Sequence, residues 1–170
     1  MLKGGDSVFY PYHGTGTIES KEYITVKEQE KEFFKVFFPN RKMHIFVPNQ
    51  DKNWNGLRPI VSLDQFETVK KGFYDECVPL PSSVSERSKF LEKKMKSGTT
   101  SDLFHILRDL LNFHITAGKL SPLDKKTYHD AEAFLTEEIE LMKNISFSEA
   151  SSEMKSEIGN RFNIAAPTFK

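Results

Sequence analysis

Two hydrophobic periods run along the chain and change over near residue 60. In the first third, apolar residues sit in short runs between turn formers, which predicts β-strands. Ser7–Tyr10 reads as a short strand closed by Pro11, and Thr15–Val26 alternates loosely through Thr17, Ile18, Ile24, Thr25 and Val26. Gln29–Phe38 is a nearly continuous apolar run, the pattern of a strand covered on both faces. Met43, Ile45 and Val47 alternate with His44 and Phe46 up to Pro48. KEQE at 27–30 and PNRK at 39–42 are the turns between these strands. Short strands joined by tight turns predict a small antiparallel barrel over residues 1–62.

From residue 63 the period is helical. Ser62 is an N-cap for a helix over Leu63–Phe73, and PLPSS at 79–83 is a breaker, so 63–82 reads as a short helix and linker. Ser83–Lys96 ends before Gly98, a natural C-cap. In Ser101–Thr116, Leu103, Leu107, Leu110 and Leu111 share one face, widened by Phe104 and Ile106, and Gly118 follows as a stop. Ser121-Pro122-Leu123-Asp124 combines an N-cap, a Pro at the first helical position and an acid at the third. The helix behind it has Tyr128, Ala131, Leu135, Ile139 and Met142 at core spacing. Phe147, Ala150, Met154 and Ile158 mark a fourth helix of this region, and the tail from Asn160 reads as irregular. The fold class is therefore α+β: a β domain at 1–62, then an all-α domain at 83–160, with 161–170 as a tail.

Composition narrows the function. With 38% hydrophobic residues in 170, the chain can bury a core. A single cysteine, Cys77, allows no internal disulfide and suits a reducing compartment. No apolar stretch reaches membrane-spanning length, and MLKGGDS has no signal-peptide core, so the expected location is the cytoplasm, away from membranes.

Chemical motifs are sparse. GDSVFYPYHGTGTIES at 5–20 contains HGTG, but no Lys-Ser/Thr follows as in a P-loop, and the third glycine of a dinucleotide fingerprint is missing. The glycines fit positions where two strands meet and the backbone needs unusual dihedrals. The five histidines lack metal spacing, and His105 and His114, nine apart, do not face one site. Cys77 has no partner motif. Glu137, Glu138 and Glu140 read as the solvated face of a helix. These patterns predict no catalytic set, no metal and no cofactor, and hence no enzyme.

The formal net charge of zero conceals segregation. From Ser85 to Lys126 basic residues outnumber acidic ones, whereas from Thr127 to Glu153 seven acids face the single Lys143. A helical domain with one basic end suits contact with DNA phosphates, without base-specific readout.

GDSVFYPYHGTGTIE at 5–19, VPNQDKNWNGLRPIVS at 47–62, LEKKMKSG at 91–98, LRDL at 107–110 and AGKLSPLDKKTYHDAEAFLTEEI at 117–139 occur in the order found in one family. In this the chain resembles the bacterial CarD/CdnL transcription regulators. The resemblance implies a Tudor-like barrel that binds the β subunit of RNA polymerase. It also implies a helical domain that meets promoter DNA and stabilises the open complex. Ile24 and Phe46 align with positions that are basic in relatives and face polymerase, and with Pro48 they form the candidate polymerase contact. Family members commonly carry a wedge Trp at the start of the first C-terminal helix. Here the aligned residue is Val84, or Ser83 with a one-residue shift, and the only tryptophan, Trp54, lies elsewhere. Candidate DNA contacts are Val84, Arg87, Lys89, Lys93, Lys94, Lys119, Lys125 and Lys126. Arg108 and Asp109 are expected to orient helices. The missing Trp suggests an alternative, a protein-binding adaptor with weakened promoter action. Phe-rich strands with an exposed edge could also pair between copies of the chain.

Overall fold

The computed structural model of the chain describes residues 1–49, 56–164 and 169. They divide into two compact units, Met1–Ile60 and Val61–Lys170. In the first, β1 (Ser7–Tyr10), β2 (Gly14–Val26), β3 (Gln29–Phe38), β4 (Met43–Pro48) and β5 (Arg58–Pro59) form one sheet. All pairings are antiparallel and the order is β4-β3-β2-β1-β5, as expected of a Tudor-like β domain. Val8, Ile18, Phe34, Val36, Phe38, Val47 and Leu57 are its buried core.

HGTG is a strand junction. Tyr10 pairs with Gly14, and the turn between them places Tyr12 at φ 64° and Gly14 at φ 78°. His13 N–H donates to the Tyr10 carbonyl at 3.0 Å, and its ring Nδ1 donates to the Pro11 carbonyl at 2.9 Å. Gly16 has another cause: a Cβ there would stand 2.7 Å from the Phe37 carbonyl oxygen and 2.9 Å from the Val36 and Phe38 side chains. Gly14 supplies the left-handed backbone of the turn, and Gly16 lets β2 approach β3 closely.

The β2–β3 turn is strained. Val26 pairs with Gln29, so the loop is Lys27-Glu28, with φ 50° and 61°. Two left-handed residues make a type I′ turn, which matches the twist of a hairpin but favours Asn-Gly. A side chain there costs about 1–2 kcal/mol per residue. Glu28→Gly is therefore expected to stabilise the protein by about 1 kcal/mol, read as a higher urea midpoint with unchanged slope. An unchanged or lower midpoint would contradict this turn geometry.

Gln29–Phe38 departs from the sequence expectation. Phe34, Val36 and Phe38 are buried, whereas Phe33, Lys35 and Phe37 are only half-buried. The strand is covered on one face, and its apolar run leaves aromatics on the other. A register shift between Ile18 and Ser20 places Glu19 as a bulge, after which β2 resumes its alternation.

The second unit contains α1 (Leu63–Lys70), α2 (Val84–Ser97), α3 (Thr100–Ala117), α4 (Pro122–Lys143) and α5 (Phe147–Phe162). Ser62, Ser83, Thr99, Ser121 and Ser146 cap their helices through side-chain oxygens, and Ser62, Ser121 and Ser146 complete capping boxes. Gly98, at φ 61°, ends α2 as expected. The segment after α1 tightens into a 3₁₀ turn at Lys71–Tyr74. Phe66 and Phe73 pack on Phe104, with ring centroids 5.4 and 5.6 Å apart, so residues 63–82 contribute to the helical core. Two details of the last helix differ from expectation. Phe147 is exposed rather than buried, and α5 continues past Asn160 to Phe162 before Asn163 turns left-handed.

Candidate functional site

Residues directly opposite one another in an antiparallel sheet share a face. Across β2, β3 and β4 the rows are Glu22–Phe33–Pro48, Ser20–Lys35–Phe46 and Thr17–Phe37–His44, with Ile24 opposite Lys31 at the hairpin end. The face away from the core therefore carries Ile24, Phe33, Phe37, Phe46 and Pro48 together. Phe46 is 43% exposed and the other four are half-buried. The three polymerase candidates, Ile24, Phe46 and Pro48, thus lie on one surface. Phe33 and Phe37 belong to it as well and were missed. Their signal was the two-residue alternation inside a run read as uniformly apolar.

A polar cluster borders this surface. The bulged Glu19 meets His44 Nε2 at 3.1 Å and Lys35 Nζ at 3.5 Å. The His44 hydrogen bond, aided by the His44 and Lys35 charges, holds the Glu19 carboxyl below its ordinary value. His44 also stacks on Phe37, with centroids 4.8 Å apart. At the far end of the strands, Glu32 accepts from the Asn49 amide and the Tyr23 hydroxyl, which hold it below the usual carboxylate range. The edge strand β4 is thus tied to β3 at its last residues. Among the described residues it has no strand on its other side.

In the helical unit the DNA candidates separate by burial. Arg87 contradicts its sequence reading. Its side chain is 2% exposed and sits in a bidentate pair with Asp124, Nε to Oδ1 at 3.0 Å and Nη2 to Oδ2 at 2.7 Å. Nη1 donates to the Pro81 and Ser82 carbonyls, and the guanidinium lies 4.3 Å from the Phe113 ring centroid. Four of its five N–H donors are used inside the fold, and its burial leaves no surface for a phosphate to reach. The physical reason is periodicity: Arg87, Leu91 and Met95 form the buried stripe of α2. Burial pulls Asp124 upward, but the hydrogen bonds from Arg87 and Ser121 outweigh it and hold the carboxyl below its ordinary value.

The lysines fare differently. Lys89, Lys93 and Lys119 are exposed, and none has an acidic partner among the described residues. Lys94 pairs with Asp102 at 3.2 Å and Lys126 with Asp130 at 2.5 Å, while Lys125 is half-buried. Val84 is exposed as the first residue of α2. Trp54 lies outside the described residues.

The acidic end also needs correction. Glu137 and Glu138 are buried, not solvated. The Glu138 carboxylate accepts from the Val61 backbone N–H at 3.2 Å and the Thr100 hydroxyl at 3.1 Å. α4 packs against α2, α3 and α5, which leaves little of its circumference to solvent. Arg108 and Asp109 do join elements: Arg108 Nε donates to Asp109 Oδ1 at 2.8 Å and Nη1 to the Gly72 carbonyl at 2.9 Å. Asp109 in turn accepts from Val78 N–H at 3.0 Å. Among the described residues no three His, Cys, Asp or Glu side chains gather as a metal site, and no helix is long and apolar enough to cross a membrane.

Comparison with known families fits this geometry. Residues 2–61 match the CarD-like/TRCF RID domain, and residues 69–155 match the CarD C-terminal domain. The chain belongs to the CarD family. It is similar to the "Putative transcription factor YdeB" of Bacillus subtilis (strain 168), at 24% identity over 156 residues. That alignment covers 89% of this chain and 99% of the relative. This member is accordingly a CarD-like transcription factor. The boundary between the two matched domains falls close to that between the two compact units.

Proposed function

We propose that this CarD-family regulator binds the β subunit of RNA polymerase through residues 1–62. The face is that of Ile24, Phe33, Phe37, Phe46 and Pro48. Residues 83–160 meet promoter DNA through phosphates, stabilising the open complex at initiation. The partly exposed aromatic face beside β4, which has no strand on its outer side among the described residues, carries the reading. Apolar side chains outside the core suit burial against a partner, and the outer edge of β4, with no strand beside it among the described residues, can add backbone donors and acceptors to a partner strand. The family match at residues 2–61 supports the same partner. Retention of core RNA polymerase by the immobilised full chain, lost on Phe46→Asp, tests it. The same edge could pair two copies, which sedimentation of the free chain would reveal as a dimer.

On the DNA side, the contact is carried by exposed lysines rather than by Arg87. Three lysines without acidic partners among the described residues, Lys89, Lys93 and Lys119, give a slope of about +3 in log Kd against log salt. Lys89→Ala and Lys119→Ala should each reduce that slope by about 1 and weaken binding to all sequences alike. A slope unchanged by both substitutions would remove lysine–phosphate contact from the account.

A second reading rests on Val84 standing where relatives place a Trp. It is a polymerase-bound adaptor with little action on DNA. Val84→Trp in an initiation assay separates the two. Longer open-complex lifetime supports DNA geometry like that of the family, and no change supports the adaptor.

A further inference from the structure

The groove between α4 and α5 holds opposite charges that face one another without meeting. Its volume is about 380 Å³, within the range of small-molecule sites. His129 and Glu132 line it from α4, Phe147 and Lys155 from α5, and Phe169 lies beside them. Glu132 is half-buried, yet its carboxylate makes no hydrogen bond or ion pair among the described residues. Burial raises its carboxyl above the ordinary value, although the His129 and Lys155 charges pull the other way. Lys155 is exposed and has no acidic partner at ion-pair distance among the described residues. One turn before Glu132, the Tyr128 hydroxyl is buried and has no hydrogen-bond partner among the described residues. Buried polar groups in folded proteins are nearly always paired, so unmet polar capacity is concentrated on this stretch of α4.

The lining selects the ligand. A simple cation would answer Glu132 but meet His129 and Lys155, and a simple anion would answer Lys155 but meet Glu132. A wholly apolar body would cover both charges and pair neither, which is costly. A molecule with an ammonium and a carboxylate close together answers both at once. The groove also offers it an apolar wall. Phe147 is 47% exposed and stands about 12 Å from Lys155 along α5, room for an apolar side chain beyond the charged pair. The Phe169 ring is already packed on His114, Tyr128 and His129, so Phe147 is the ring left to receive that side chain.

We propose that the α4–α5 groove binds a free amino acid with an apolar side chain. Glu132 takes its ammonium group, Lys155 its carboxylate, and the side chain lies on Phe147. The inference is independent of the polymerase and DNA readings. The test is a titration of the isotope-labelled full chain, followed by amide NMR, with three compounds. L-phenylalanine carries both charges, phenethylamine lacks the carboxylate and hydrocinnamate lacks the ammonium. L-phenylalanine should shift the Glu132, Phe147 and Lys155 amides saturably, and each of the other two should bind about tenfold more weakly. Glu132→Gln should abolish the advantage of L-phenylalanine over hydrocinnamate. Lys155→Gln should abolish its advantage over phenethylamine. Both side chains lie outside the core, so Tm should stay near wild type, and a preference lost at unchanged Tm reports the site and not unfolding. Equal binding of all three compounds to the wild-type chain would mean apolar association only and would overturn the proposal. Absence of any saturable shift with L-phenylalanine, or wild-type preferences in both variants, would overturn it as well.

Discussion

Arg87→Ala should unfold the helical unit far more readily while Lys89→Ala, two residues away, leaves it intact. Arg87 makes two bonds to a carboxylate that is itself 2% exposed, two more to the Pro81 and Ser82 carbonyls, and a stacking contact with Phe113. Removing the guanidinium strands Asp124 as a buried charge and leaves two carbonyls without their donor. Breaking one side of such a pair costs about 3–5 kcal/mol, equivalent to about 10–20 °C in Tm for a unit of this size. Lys89 is exposed, so its truncation stays within about 0.5 kcal/mol. The pair also fixes an acid limit. Because the folded carboxyl lies below its ordinary value of 3.8, its stabilisation is complete above that pH. It is lost as pH falls through the lowered folded value. Asp124→Asn should flatten this acid limb. A thermal melt in which Arg87→Ala matches wild type would contradict the buried pair. A loss of DNA binding in that variant reports unfolding, not a lost phosphate contact.

Phe46→Asp is expected to weaken binding to core RNA polymerase by about thirtyfold or more. An aromatic anchor at the centre of an interface contributes about 2 kcal/mol or more on truncation, and a carboxylate adds a desolvation cost in an apolar contact. In the free chain the change is mild. Phe46 is 43% exposed and lies opposite Lys35, which can pair with an aspartate. The lower strand propensity of Asp costs at most about 1 kcal/mol. Binding and melting should therefore separate, with affinity lost and Tm nearly kept. Equal affinity for polymerase would exclude the β4 side of the sheet as the contact.

Much of this was legible in the sequence because local rules and the fold agree. Ser7–Tyr10, Gln29–Phe38, the capping sequence at Ser121–Asp124 and the Gly98 stop all required only neighbours in the chain. The errors arose where a residue's chemistry was read without its helical phase. Arg87 was grouped with Lys89, Lys93 and Lys94 by charge, although its spacing to Leu91 and Met95 places it on the core side. Glu138 lies seven residues after Ala131 and faces inward for the same reason, satisfied by Val61 and Thr100, which no local pattern reveals. Gln29–Phe38 erred in the opposite direction. Its four phenylalanines all look like core in a run of apolar letters, yet two of them, Phe33 and Phe37, lie on the candidate contact surface.

Backbone hydrogen exchange of the full chain, with and without core RNA polymerase, tests the central claim most directly. The account predicts slowed exchange along Met43–Pro48 and at Ile24 when polymerase is added, with the core amides around Val36 already slow in both states. Polymerase that binds without protecting those strands, or that fails to bind the chain at all, would contradict it.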